Sequence, residues 1–253
     1  MKQDFLVDNL HVFKYHTRLE LATDAASMAA AEIVSMLKGK PMLNIIFAAA
    51  PSQSEFLDAL AERPEIDWSK INAFHMDEYI GLPKGAPQSF GNYLKERIFD
   101  RVSFRTVSYV DAEQMSPEEL CSRYANLLTA FPPDIVFMGI GENGHIAFND
   151  PHVADFADPV SVKVVDLDLI CRQQQVNDGC FSSLELVPEQ AITLTIPTLL
   201  KAEKLFCIVP GKTKAQAVYN TFNRPIVEKY PSTILRRHKS AKLFIDAESS
   251  MLV

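Results

Sequence analysis

Long apolar runs are missing from this 253-residue chain. The longest, such as Leu43 to Ala50, fall far short of the ~20 residues that a membrane-spanning helix requires. Paired cysteines are missing as well. Cys121, Cys171, Cys180 and Cys207 stand apart with no CxxC pair, which argues against a disulfide framework or a zinc knuckle and for a reducing cytoplasm. Basic residues are in deficit, 25 against 32 acidic ones, for a net charge of −7. That balance argues against nonspecific nucleic-acid binding, and any anionic substrate would need a local cluster of basic groups. No repeat or low-complexity tract occurs, and the N-terminal MKQDFLVDNL carries Asp4 and Asp8 where a secretory signal would be basic and then apolar. What is present is ordinary globular composition, 47% hydrophobic and 23% charged. The expectation is one cytoplasmic domain, 1–253, without a membrane segment.

Apolar spacing predicts helices at Leu19 to Lys38, Ser54 to Arg63, Ser89 to Phe99, Pro117 to Phe131 and Lys212 to Phe222. Ser116 is the expected N-cap of the fourth, with Pro117 at its first position. Short runs at Met42 to Ala49, Ile71 to Met76, Thr106 to Val110, Asp134 to Ile140, Val160 to Val165, Ala191 to Ile196, Leu205 to Val209 and Lys242 to Asp246 read as strands. Near-continuous apolar strands alternating with helices indicate an α/β fold, a three-layer, Rossmann-like, mostly parallel sheet covered on both faces. Ligands of such sheets bind beyond the carboxyl ends of the strands. The loops there are Ala50 to Gln53, Asp77 to Tyr79, Gly141 to Pro151, and Pro210 to Lys214.

Gly139 to Gly144 matches GxGxxG after a strand, with Asp166 near the place of a ribose-binding acid. A dinucleotide site also needs a helix immediately afterwards. Here Asn149, Asp150 and Pro151 follow, which are poor helix material, so nicotinamide binding is only a competing expectation. Gly211-Lys212-Thr213 is no P-loop, because Phe206 stands where its first glycine belongs. It still sets Lys212 and Lys214 at a strand-to-helix turn suited to an anion. His145, flanked by Asn143 and Asp150, has the make-up of a general acid–base, since histidines titrate near neutrality and a carboxylate can orient the ring. Asp77 and Glu78 form a carboxylate pair at a strand end. His75 and His152 have no metal-ligand spacing with any partner, so no metal is expected.

Two segments tie these residues together. Phe74-His75-Met76-Asp77-Glu78-Tyr79 resembles the Phe-x-Met-Asp-Glu-Tyr block of glucosamine-6-phosphate deaminases. Gly139 to Pro151 is similar to their block Gly-x-Gly-x-(Asp/Asn)-Gly-His-Ile-x-Phe-Asn-Glu-Pro. Gly211 to Ala215 and Pro231 to Leu235 fit two further segments of that family, which extends to the 6-phosphogluconolactonases. The resemblance implies Asp77 as the base moving a proton between C2 and C1 of the opened sugar. It implies His145 as the group assisting ring opening, oriented by Asp150 and Asn143. Ser52, Glu78, Gly144, Lys214 and Arg172 are its implied substrate contacts. The implied reaction turns an amino-sugar phosphate into a ketose phosphate and ammonia without metal or organic cofactor. Alternatives are a non-catalytic sugar-phosphate binder and a lactonase-like hydrolase. Family members differ in assembly, and no surface stripe decides whether this chain forms a homo-oligomer.

The chain departs from the pattern at the phosphate end. Ala50-Pro51-Ser52 replaces a Gly-Gly-Thr or Gly-Gly-Ser cradle, and Gln175 stands at the counterpart of an arginine. At the chemistry end, beside His145, Asp150 replaces Glu, one methylene shorter.

Overall fold

The computed structural model of the chain describes residues 3–83, 85–111 and 115–253. In chain order its first half contains β1 (Gln3–Val7), β2 (Leu10–Lys14), α1 (Arg18–Leu37), β3 (Leu43–Phe47), α2 (Ser54–Ala61), β4 (Ile71–His75), β5 (Asp77–Tyr79), α3 (Phe90–Leu94), β6 (Thr106–Ser108) and α4 (Pro117–Ala130). The second half contains β7 (Ile135–Met138), β8 (Val162–Asp166), α5 (Leu169–Asn177), β9 (Gln190–Leu194), α6 (Ile196–Leu200), β10 (Lys204–Val209), α7 (Ala215–Asn223) and β11 (Ala241–Ile245). No helix among the described residues is long and apolar enough to cross a membrane.

The main sheet runs β1-β2-β11-β10-β7-β3-β4-β6. Every neighbouring pair from β2 to β6 is parallel, and only the β1–β2 hairpin is antiparallel. Strand side chains alternate between two apolar layers. Leu43, Ile45 and Phe47 of β3 pack with α1, α2 and α3, while Ile46 packs in the layer that holds Leu120 and Tyr124 of α4 and Val218 of α7. Helix α1 starts on a capping box between Thr17 and Glu20 and buries Ala22, Ala25, Ala26, Ala29 and Ala30. Those small side chains let its backbone lie close to the sheet. Ser116 caps α4 as expected, its hydroxyl accepting from Glu119 N and the Glu119 carboxylate returning to Ser116 N.

Three features depart from the sequence expectation. The β1–β2 hairpin was not anticipated, because four of the five residues of β1 are exposed and supply no apolar pattern. The expected strands β8 and β9 do not join the main sheet. With β5 they form a separate antiparallel sheet in the order β5-β9-β8. Helices α5 and α6 were also unforeseen; α5 reads LICRQQQVN, too polar for periodicity to mark it.

The small sheet positions the chemistry. Only Met76 separates β4 from β5, so the chain changes sheets there and sets Asp77 opposite Thr193 of β9.

Candidate active site

Asp77, His145, Lys214, Ser52, Gln174 and Gln175 line one narrow cavity of about 60 Å³, walled on one side by Phe90 and Phe148. Ser52 follows β3, Asp77 follows β4, His145 follows β7 and Lys214 follows β10. They converge beyond the carboxyl ends of parallel strands, where such folds bind ligands. A larger cavity of about 450 Å³ lies beside Glu78, Ser89, Asn92, Lys95 and Tyr109. None of Asp77, His145 and Lys214 lines it, so the narrower cavity is the one that gathers reactive groups. Its volume is below the ~300–1,000 Å³ common for small-molecule sites.

Asp77 is 5% exposed. Burial, and then the neighbouring Glu78 carboxylate, push its pKa well above the ordinary aspartate value. Glu78 points the other way. Its carboxylate accepts from Tyr79 N, Phe90 N and Gly91 N, tying β5 to the start of α3. Burial lifts it to about 7 in spite of those donors. Glu78 thus holds the strand that carries Asp77, and its carboxylate lies on the larger cavity.

The loop after β7 is built around His145. Gly144 has φ +89 and donates its N–H to Gly141 O, while its carbonyl accepts from Ser232 N. A glycine suits that left-handed turn, and the buried segment Pro231 to Leu235 supports it from below. At Gly141 the requirement is space. A Cβ there would stand 2.1 Å from His145 Cε1 and 2.3 Å from Nε2, because the imidazole lies over the Gly141 backbone. Downstream, Asn149 Nδ2 donates to the carbonyls of Ile146 and Leu194, and Phe148 N to Thr193 Oγ1, pinning the loop to β9. Between them Ala147 is held at φ +51, a left-handed conformation that costs a non-glycine residue about 1–2 kcal/mol. Backbone strain of this kind gathers at functional loops.

His145 Nδ1 lies 2.9 Å from Asp150 Oδ1, at an angle that makes no aligned hydrogen bond. Asp150 is fully buried and is crowded by donors: Asn143 Nδ2 at 2.9 Å and the backbone N of Asp168 at 3.2 Å. Burial alone would raise its pKa, but the imidazole and these donors hold it below the usual carboxylate range. Asn143 also accepts from His145 N and donates to the Asp168 carboxylate, so it orients backbone and acid together.

At the opposite end stands Lys214, 5% exposed. Among the described residues no carboxylate lies within ion-pair distance of it, and burial lowers its pKa against the pull of Asp178 and Glu142. Burying an ammonium without a counter-ion costs free energy that an anionic neighbour would offset. Around it are amides: Gln174, whose Oε1 accepts from Glu142 N, and Gln175.

The fold therefore brings together Asp77, His145, Asp150, Asn143, Ser52 and Lys214. It does not bring in three other expected contacts. Arg172 turns away from the cavity, donating to the carbonyls of Leu184 and Val187 and reaching Glu189 at 3.5 Å. Helix α5 buries Cys171, Gln174 and Gln175 on one face and leaves Arg172 to staple the helix to the 184–186 turn. Gly144 shapes the turn without lining the cavity, and Glu78 lies on its neighbour. Lys212 is exposed, and the Gly211 N–H is taken by the Asp246 carboxylate. After Gly144 no helix begins among the described residues until Leu169, so a dinucleotide's pyrophosphate would find no helix N-terminus at this loop. Sequence reasoning missed Asp168, whose carboxylate binds Asn143 and also caps α5 through Cys171 N. An Asp three residues before Cys171 is the ordinary N-cap signal that could have marked both.

The family model for glucosamine-6-phosphate isomerases/6-phosphogluconolactonase matches residues 16–245. A glucosamine-6-phosphate deaminase of Bacillus cytotoxicus is 32% identical over 223 residues, 87% of this chain and 81% of that protein. One from Listeria monocytogenes is 30% identical over 229 residues, 90% of this chain and 96% of that protein. The solved structure of a monomeric glucosamine-6-phosphate deaminase superposes with a TM-score of 0.87 at 29% identity, over 96% of this chain and 99% of that one. The 6-phosphogluconolactonase of Thermotoga maritima shares the fold, with a TM-score of 0.76 at 19% identity, over 93% of this chain and 98% of that one. With a matching family model over most of its length and relatives at 30% identity or above, the chain belongs to the glucosamine-6-phosphate isomerase/6-phosphogluconolactonase family.

Proposed function

We propose that the chain converts an amino-sugar phosphate and water to a ketose phosphate and ammonia, with glucosamine 6-phosphate as the first candidate substrate. The whole chain, 1–253, works as one cytoplasmic domain. The observation that carries this reading is the meeting of three groups on one cavity: a buried carboxylate, an imidazole backed by a second carboxylate, and a buried ammonium without a counter-ion.

Each group has a task. His145 moves a proton between the ring oxygen and O1 as the sugar opens, while Asp150 and Asn143 keep its ring in place. Asp77 takes the proton from C2 of the open aldehyde and returns it to C1 by way of an enolamine. Water then hydrolyses the resulting ketimine and ammonia leaves. The raised pKa of Asp77 makes its carboxylate a stronger base than an ordinary aspartate. Lys214 supplies the positive charge for the phosphate, with Ser52 and the amides of Gln174 and Gln175 as neutral donors. The names of the relatives at 30–32% identity agree with this chemistry.

The test is to mix the purified protein with glucosamine 6-phosphate and to measure ammonia and ketose in equal amounts. The folded protein must release both. If it released neither from a panel of hexosamines and their phosphates, yet was stabilised thermally by one of them, the chain would be a binder and this proposal would fall.

A further inference from the structure

A third donor stands beside the His145–Asp150 pair. One ligand atom each from His145, Asp150 and Cys171 lies within 4.8 Å of the other two. The residues come from two separate places in the chain, the loop after β7 and the buried face of α5, so no sequence spacing announces them. All three are buried, with His145 at 8%, Asp150 at 0% and Cys171 at 1% exposure. His145 Nδ1 is enclosed and has no aligned hydrogen bond.

We propose that His145 Nδ1, an Asp150 oxygen and the Cys171 sulfur form a binding site for a soft divalent cation of the Zn²⁺ type, and that its occupation switches the protein off. A mixed set of imidazole, carboxylate and thiolate selects zinc over magnesium or calcium, which prefer oxygen alone. The Zn–N and Zn–O bonds of about 2.0–2.2 Å and the Zn–S bond of about 2.3 Å fit this group after side-chain shifts on the order of 1 Å. In the binding step the thiol proton leaves to solvent and a Zn–S bond replaces S–H. The lone pair of Nδ1 goes to the metal, so the ring proton is fixed on Nε2.

Inhibition follows from that last point and rests on the deamination reading above. A ring with its proton locked on Nε2 cannot accept one from the sugar, and Asp150 is drawn to the metal. Occupation of the site therefore stops turnover by tying up both His145 and Asp150.

The test has a binding arm and an activity arm. In chelator-buffered solution the wild type should bind one Zn²⁺, and Co²⁺ in its place should give a thiolate-to-cobalt charge-transfer band in the near ultraviolet. Cys171→Ala should lose the band, Cys171→Ser should lose it while keeping the side chain's shape, and Cys180→Ala should retain it. In the activity arm, Zn²⁺ should inhibit ammonia release by the wild type, and EDTA should restore it. Whatever turnover the Cys171 variants keep, they should need at least tenfold more zinc for half-inhibition. An absent cobalt–thiolate band, or equal zinc sensitivity in wild type and both Cys171 variants, overturns the site. The binding arm needs no substrate, so it stands or falls apart from the proposed activity.

Discussion

An Asp77→Asn substitution leaves the shape of the side chain almost unchanged and removes its charge. In the native protein the carboxylate is 5% exposed, beside Glu78, and its pKa is raised by burial and by that neighbour. In the unfolded chain it ionises near the ordinary value of about 3.9. A raised native pKa means that the native state holds the proton longer than the unfolded state. The stability tied to Asp77 is therefore complete below the unfolded pKa, is lost as pH rises, and is fully lost above the native pKa. Between those two pKa values the loss is about 1.4 kcal/mol per pH unit. For a chain of this length 1 kcal/mol shifts Tm by about 2–4 °C, so each pH unit in that interval costs the wild type about 3–6 °C relative to Asp77→Asn. Melting curves of both proteins at pH 5, 6, 7 and 8 should show the variant pulling ahead as pH rises. The same variant should lose about 10²–10⁴-fold in turnover, the usual worth of a general base. A pH-independent Tm difference, or a variant less stable than wild type at pH 8, would refute the claim that Asp77 is a buried carboxylate whose charge the fold resists.

Lys214→Ala should raise KM for a phosphorylated substrate about ten- to a hundredfold, because a charge-assisted contact is worth about 1.5–3 kcal/mol; steady-state kinetics that leave KM unchanged would remove Lys214 from the phosphate. Since burial lowers the Lys214 pKa, KM should also begin to climb at an alkaline pH below the usual lysine range. Gly141→Ala should abolish most turnover by displacing the imidazole that lies over that backbone, while the circular dichroism spectrum stays native. Asp168→Asn keeps the side chain's shape but sets an amide against the Asn143 amide, so kcat should fall with little change in KM; an unchanged kcat would deny Asp168 a positioning role.

Much of this site could be read from the chain because buried parallel strands announce themselves. β3, β7 and β10 are short apolar runs, and the polar residues just past them, Ser52, His145 and Lys214, had to lie at one edge of the sheet. The strand carrying Asp77 was less legible. Its partner β9, and β8 beyond it, are distant in sequence, and nothing local in Val162–Asp166 distinguishes an antiparallel pair from one more strand of the main sheet. Arg172 illustrates a different limit. A cation at the right place along the chain still had a helix to turn on, and α5 turns it toward the carbonyls of Leu184 and Val187. The zinc donors were hidden for a similar reason, since Cys171 meets Asp150 only when α5 docks against the His145 loop.

The most direct measurement follows a single hydrogen. Glucosamine 6-phosphate bearing deuterium at C2 is turned over by the wild type, and the sugar product is analysed by NMR. The account predicts a ketose in which the C2 deuterium is gone, found at C1 or exchanged into water, with ammonia released in equal amount and both lost in Asp77→Asn. An aldose product with deuterium still on C2, its amine simply replaced by hydroxyl, would contradict it.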